Sequence, residues 1–90
     1  MNRDEARLKA ESYLTALRER GEFPEATGVR EILRVDELSA RRPPLYGIRL
    51  EQCWIAYLAR PPRGLFSSTI LVIDDATGDL VYSGSAHDEG

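Results

Sequence analysis

The strongest constraint on this chain lies at its start, where residues between Asn2 and Gly21 spell one complete helix. Ala6, Ala10, Tyr13, Leu14 and Leu17 follow at i, i+4, i+7, i+8 and i+11, so they share a face. Leu8 stands roughly opposite that stripe. Asn2 followed three residues later by Glu5 has the form of a capping box. Asp4 and Glu5 complement the positive end of the helix dipole, and Arg18 and Arg20 the negative end. Gly21 is placed to end the helix in a left-handed conformation. Such a helix, over Arg3 to Arg20, has to lay its stripe on an apolar surface built by the rest of the chain.

That surface reads as β structure. Glu22 to Gly28 forms a connection. A strand is favoured over roughly Glu31 to Leu38, where Leu33 and Val35 alternate with Arg34 and Asp36. Val29, Ile32 and Leu33 also have helical spacing, so within 29–38 strand and helix both stay open. Ser39 to Pro44 breaks regular structure. Tyr46 to Ala59 carries the strongest alternation, with Ile48, Leu50, Trp54, Ala56 and Leu58 on one parity and Cys53, Ile55 and Tyr57 on the other. Fourteen residues would make a long strand, which predicts a bulge or bend near Glu51 and Gln52.

Arg60 to Ser68 is a loop. Thr69 to Ile73 is apolar on both faces, as in a central strand covered on both sides. Asp74-Asp75-Ala76-Thr77-Gly78 then forms a hairpin turn with Gly78 at the left-handed position. Leu80 to Ser83 returns as the last strand, and 84–90 is expected to be a mobile acidic tail. The expectation is one α+β domain over 1–90. It has an N-terminal helix packed on a small antiparallel sheet of three to four strands, in α-β-β-β-β order.

Several function classes fall away at this level. The longest uninterrupted apolar run, Cys53 to Ala59, is too short to span a membrane. The opening Met-Asn-Arg-Asp-Glu does not fit a signal peptide. A single cysteine, Cys53, cannot make an internal disulfide and suits a reducing, cytoplasmic compartment. The net charge of −3 gives no support to nucleic-acid binding.

Catalytic chemistry has few candidates. Cys53 with His87 is the one nucleophile–base pair, but the thiol sits in an apolar strand and the histidine in the expected tail. Asp75, Thr77 and Asp79 alternate like the start of a calcium loop, yet Leu80 stands where that loop needs glycine. Zinc would require more than one cysteine and one histidine. Asp74 and Asp79 across a tight turn would both be solvated, with no means of raising either pKa. The expectation is a non-enzyme without metal or cofactor.

Surface charge offers more. Residues 1–45 are balanced, whereas 46–90 hold three arginines and six acids, and no Lys or Arg follows Arg63. Asp74, Asp75, Asp79, Asp88 and Glu89, with the amphipathic Tyr82, are therefore the candidate contacts to a basic protein partner. Trp54 and Gly78 are expected to be structural, for core and turn. A concave pocket beside Trp54 would be required for a small-molecule ligand, and an exposed sheet edge would allow pairing with a second copy.

Taken together, the order of elements resembles the immunity protein 35 family, which includes small YrhB-like bacterial proteins. The resemblance is carried by Cys53-Trp54-Ile55-Ala56-Tyr57, Ile70-Leu71-Val72-Ile73-Asp74, Thr77-Gly78 and Gly84-Ser85-Ala86. It runs from about Leu33 to Glu89, with the helix matching in position. Two features depart from the family pattern: the chain stops at Asp88-Glu89-Gly90 where members often continue into a helix, and the Arg60 to Ser68 loop is differently composed. The resemblance implies a cytoplasmic immunity protein that neutralises a cognate toxin by stoichiometric occlusion, with no catalytic residues. The alternative is a general interaction or chaperone-like module without a toxin partner.

Overall fold

The structure is a computed structural model and describes residues 1–38, 42–61 and 67–87. Helix α1 spans Arg3–Glu19, and strands β1 (Gly28–Leu33), β2 (Cys53–Ala59), β3 (Thr69–Asp74) and β4 (Leu80–Ser85) follow it. The four strands form one sheet in the order β1-β2-β3-β4, with every neighbouring pair antiparallel. This is the α+β arrangement read from the sequence.

Local signals account for the helix. The Asn2 side chain accepts from the Glu5 amide at 2.8 Å, and the Glu5 carboxylate accepts from the Asn2 amide at 2.9 Å. Gly21, at φ 83°, ends the helix in a left-handed turn. Ala6, Ala10, Leu14 and Leu17 are buried, Tyr13 is half-buried, and Leu8 stands 68% exposed on the opposite side. The stripe packs on Ile32, Trp54, Ala56, Leu58, Leu71 and Ile73 of the sheet. Each fully buried leucine there contributes about 2 kcal/mol.

The second face of the sheet is covered by irregular chain. Cys53, Ile55, Tyr57, Ile70 and Val72 point into a second cluster, closed by Val35, Leu38, Leu45, Ile48 and Leu50 from the segment between β1 and β2. The molecule therefore has three layers: helix, sheet and a coil cover. This is why β2 and β3 are apolar at both parities.

Three expectations are corrected. The first strand occupies Gly28–Leu33 in place of roughly Glu31 to Leu38. Beyond it, Val35–Glu37 is a single 3-10 turn, closed by Glu37, whose carboxylate accepts from the Arg34 amide at 2.8 Å. The long strand expected over Tyr46 to Ala59 is cut to Cys53–Ala59: the bend expected near Glu51 and Gln52 is present as a 3-10 turn over Leu50–Gln52, and the strand begins only after it. That turn moves Ile48 and Leu50 into the coil cover, on the same face as Cys53 and not with Trp54. Finally, Gly84, Ser85 and Ala86, expected in a mobile tail, are part of the fold: Gly84 and Ser85 belong to β4, and Ala86 is fully buried. Asp88 to Gly90 lie outside the described residues.

Candidate functional site

The residues singled out from the sequence separate into three groups. Asp74, Asp75 and Asp79 all sit at the β3–β4 turn, as expected. Tyr82 lies on β4 and is half-buried against the coil-side cluster, its hydroxyl donating to the Ser85 carbonyl at 2.6 Å. Asp88 and Glu89 lie outside the described residues.

The three turn aspartates do different work. Asp74 Oδ1 accepts from the backbone N–H groups of Ala76 and Thr77, both at 2.9 Å. These bonds, that of Thr77 first, hold its carboxyl below the usual carboxylate range. Asp75 faces inward. Its Oδ1 accepts from the Trp54 indole N–H at 2.6 Å and lies 3.2 Å from the Met1 ammonium and 3.3 Å from the Arg34 guanidinium. The indole bond, then the ammonium and Arg34, lower its pKa. Asp79 is exposed, and its carboxylate makes no hydrogen bond or ion pair among the described residues.

Trp54 is the centre of this cluster. It is only 7% exposed, and the guanidinium carbons of Arg34 and Arg3 lie 4.8 and 5.3 Å from its ring centroid. Arg3 Nη2 also donates to both carboxylate oxygens of Glu37, at 2.8 and 3.0 Å, which raises the arginine's pKa and lowers the glutamate's. Arg34 reaches the Glu51 carbonyl at 3.2 Å. The sequence marked Trp54 as a core residue but did not reveal this charge ring. A signal was present, since a buried indole N–H needs an acceptor, and Asp75 follows the strand that pairs with β2. The groups are satisfied by one another, so the ring ties the start of α1, both 3-10 turns and the hairpin together. Trp54 is thereby fixed in the fold by its hydrogen bond to Asp75 and by the two arginines over its ring.

Gly78 takes the left-handed conformation expected of it in the turn. It is buried at φ 75°, and its carbonyl accepts the Tyr13 hydroxyl at 2.6 Å. A Cβ there would come within 3.2 Å of the Lys9 side chain and 3.3 Å of Met1 Cε.

Cys53 is buried and its thiol contacts the Arg49 carbonyl at 3.5 Å. Burial, reinforced by Asp74, pushes its pKa up, which disfavours the thiolate. His87 is exposed just after β4. Among the described residues no group of three or more His, Cys, Asp or Glu side chains is placed to hold a metal ion. No helix among them is long and apolar enough to cross a membrane.

What the surface does offer is a shallow cleft of about 270 Å³ between the hairpin and the chain entering β2. It is lined by Gly47, Ile48, Arg49, Gln52, Cys53, Asp74 and Val81. Tyr46, adjoining it in sequence, is 95% exposed, and Val81 is also exposed. Tyrosine, an aliphatic group and a polar rim are the makings of a protein contact surface.

Comparison with protein-family models, with curated proteins and with solved structures finds no match to this chain.

Proposed function

We propose that this chain is a bacterial immunity protein that binds a cognate toxin and neutralises it by stoichiometric occlusion. The reading rests on the resemblance to the immunity protein 35 family. One structural observation supports it: the residues carrying that resemblance are those on which this fold depends. Trp54 anchors the charge ring, Gly78 lets the hairpin approach the helix, and Ala86 seals the second cluster.

A dedicated partner suits the surface better than a general chaperone-like role. The exposed large hydrophobics among the described residues are Leu8, Tyr46 and Val81, on three separate segments. Val81 lines the cleft together with Arg49, Gln52 and Asp74, and that mixed lining suits a dedicated partner better than the capture of unfolded chains, which would use an apolar groove.

The direct test is to search the neighbouring reading frame for a toxin-like C-terminal domain and to co-express that domain with this chain. Restored growth and an equimolar complex on co-purification are expected. Continued toxicity together with repeated failure to bind would overturn the reading.

A further inference from the structure

The two edges of the sheet are finished differently. At β1, the carbonyls of Ile32 and Val29 are taken by Arg3 and Arg7 of the helix, at 2.6 and 3.1 Å. At β4, register fixes which backbone groups face outward. Thr69 pairs with Ser85, Ile70 with Gly84, Leu71 with Ser83 and Val72 with Tyr82, and the Ala86 amide donates to the Ser68 carbonyl at 2.8 Å. Ladder bonds alternate along an antiparallel pair. Tyr82, Gly84 and Ala86 therefore bond inward to β3, while Ser83 and Ser85 turn their N–H and C=O groups away from it. Past the bulge at Val81, the Asp74 amide donates to the Asp79 carbonyl at 2.9 Å, which makes Leu80 the next outward residue.

Of these outward groups, the Ser85 carbonyl accepts the Tyr82 hydroxyl. Those of Ser83 and Leu80 meet no partner among the described residues. Sheets usually guard such an edge with lysine, proline or an inward charge. Leu80–Ser85 contains none of these. The bulge at Val81 shortens the open stretch without closing it.

Charge indicates the guest. Residues 64–90 carry five acids and no Lys or Arg. Asp74, held ionised by its turn, and the exposed Asp79 flank the Leu80 end of the edge. A second copy would bring the same acids with no compensating base from that third of the chain. We infer that the β4 edge receives an extended basic segment of a partner protein, added as a further strand beside Ser83. This rests on the reading that the chain binds a protein partner, and it names the mode of contact.

The test uses two blocked heptapeptides of alternating valine and threonine, one ending in lysine at both ends and the other in glutamate. Each is titrated into isotope-labelled protein and followed by amide NMR. The lysine-ended peptide is expected to shift and protect the amides of Leu80, Ser83 and Ser85, and to bind at least about threefold more tightly than its glutamate counterpart. Ser83→Pro removes an outward N–H and no β3–β4 bond, so it should abolish these changes, whereas Ser83→Ala should retain them. Ser83→Lys keeps every backbone bond and should weaken the lysine-ended peptide, which covers the case in which the proline variant fails to fold. Unchanged β4 amides, equal affinity for both peptides, or indifference to Ser83→Lys would overturn the inference. So would a concentration-dependent rise in mass without peptide, which would assign the edge to a second copy. Toxin captured equally by Ser83→Lys and the natural chain would overturn the edge inference and leave the immunity reading standing. Peptide binding at Ser83 with no toxin captured would overturn the immunity reading alone.

Discussion

The indole N–H of Trp54 donates to Asp75 Oδ1 at 2.6 Å, joining the second strand to the β3–β4 turn across 21 residues of sequence. The same oxygen meets the Met1 ammonium and Arg34, and the Asp75 amide donates to the Gln52 carbonyl at 3.0 Å. Chain start, both 3-10 turns and hairpin are thus fastened at one end of the sheet. A negative charge counted from the sequence as a candidate contact thus also holds the fold together.

Trp54→Phe tests that fastening. It keeps an aromatic ring in the core but removes the donor to Asp75 and part of the surface over which Arg3 and Arg34 lie. A loss of about 2 kcal/mol is expected, read as a lower urea midpoint in far-UV circular dichroism. An unchanged midpoint would mean that the ring contributes nothing to stability.

Acid should loosen the same end of the molecule. Asp75, Asp74 and Glu37 all have carboxyls held below their ordinary values. Groups depressed in the folded state contribute stability that is present above their unfolded pKa and lost as pH falls through the folded one. The urea midpoint should therefore hold from pH 7 to about 5 and decline below about 4. Asp75→Asn should make that acid decline shallower. An identical decline in the variant would remove Asp75 from the account.

How much of this was legible depends on how local each signal is. The helix could be read end to end because Asn2, Glu5, the stripe and Gly21 act within a few residues of one another. The hairpin turn could be read from Asp74 to Gly78 for the same reason. The strand entering from Tyr46 could not. Ile48 and Leu50 alternate like a strand, but a 3-10 turn at Leu50–Gln52 turns them onto the coil side. Alternation records that a residue is buried, not which layer buries it. The bonds of Asp75 are not legible in the sequence because its partners Met1, Arg34 and Trp54 come from distant parts of the chain. The bond from the Tyr82 hydroxyl to the Ser85 carbonyl is equally invisible there, since it depends on the course of β4.

Gly78 and Gly21 separate conformational cost from steric cost. Both have positive φ, but a Cβ at Gly21 meets nothing within 4 Å, whereas at Gly78 it meets Lys9 and Met1. Gly21→Ala should cost about 1 kcal/mol from backbone strain. Gly78→Ala should cost more, about 2 kcal/mol, as crowding against the helix is added. Equal losses in paired thermal melts would show that the helix gives way without cost.

Cys53 should behave as a packing residue in the folded protein. Its thiol is buried and its pKa raised, so iodoacetamide should label it slowly in buffer and rapidly in urea above the midpoint. The labelling rate should follow the fraction unfolded. Fast labelling of the native protein, with the circular dichroism unchanged, would contradict the burial described for β2.

Association with a basic partner should depend on Asp79 more than on its neighbours. Asp74 is engaged with two backbone amides and Asp75 with Trp54, so reversing either charge disturbs structure before it disturbs a surface. Asp79 is exposed and forms no such bond through its carboxylate among the described residues. Asp79→Lys should leave the melting temperature nearly unchanged while slowing association with the toxin several-fold and flattening its salt dependence, since steering acts on the encounter rate. Stopped-flow rates at low and high salt provide the measurement. Identical rates for Asp79→Lys and the natural chain would mean that the acidic corner takes no part in bringing the partner in, whatever surface then holds it.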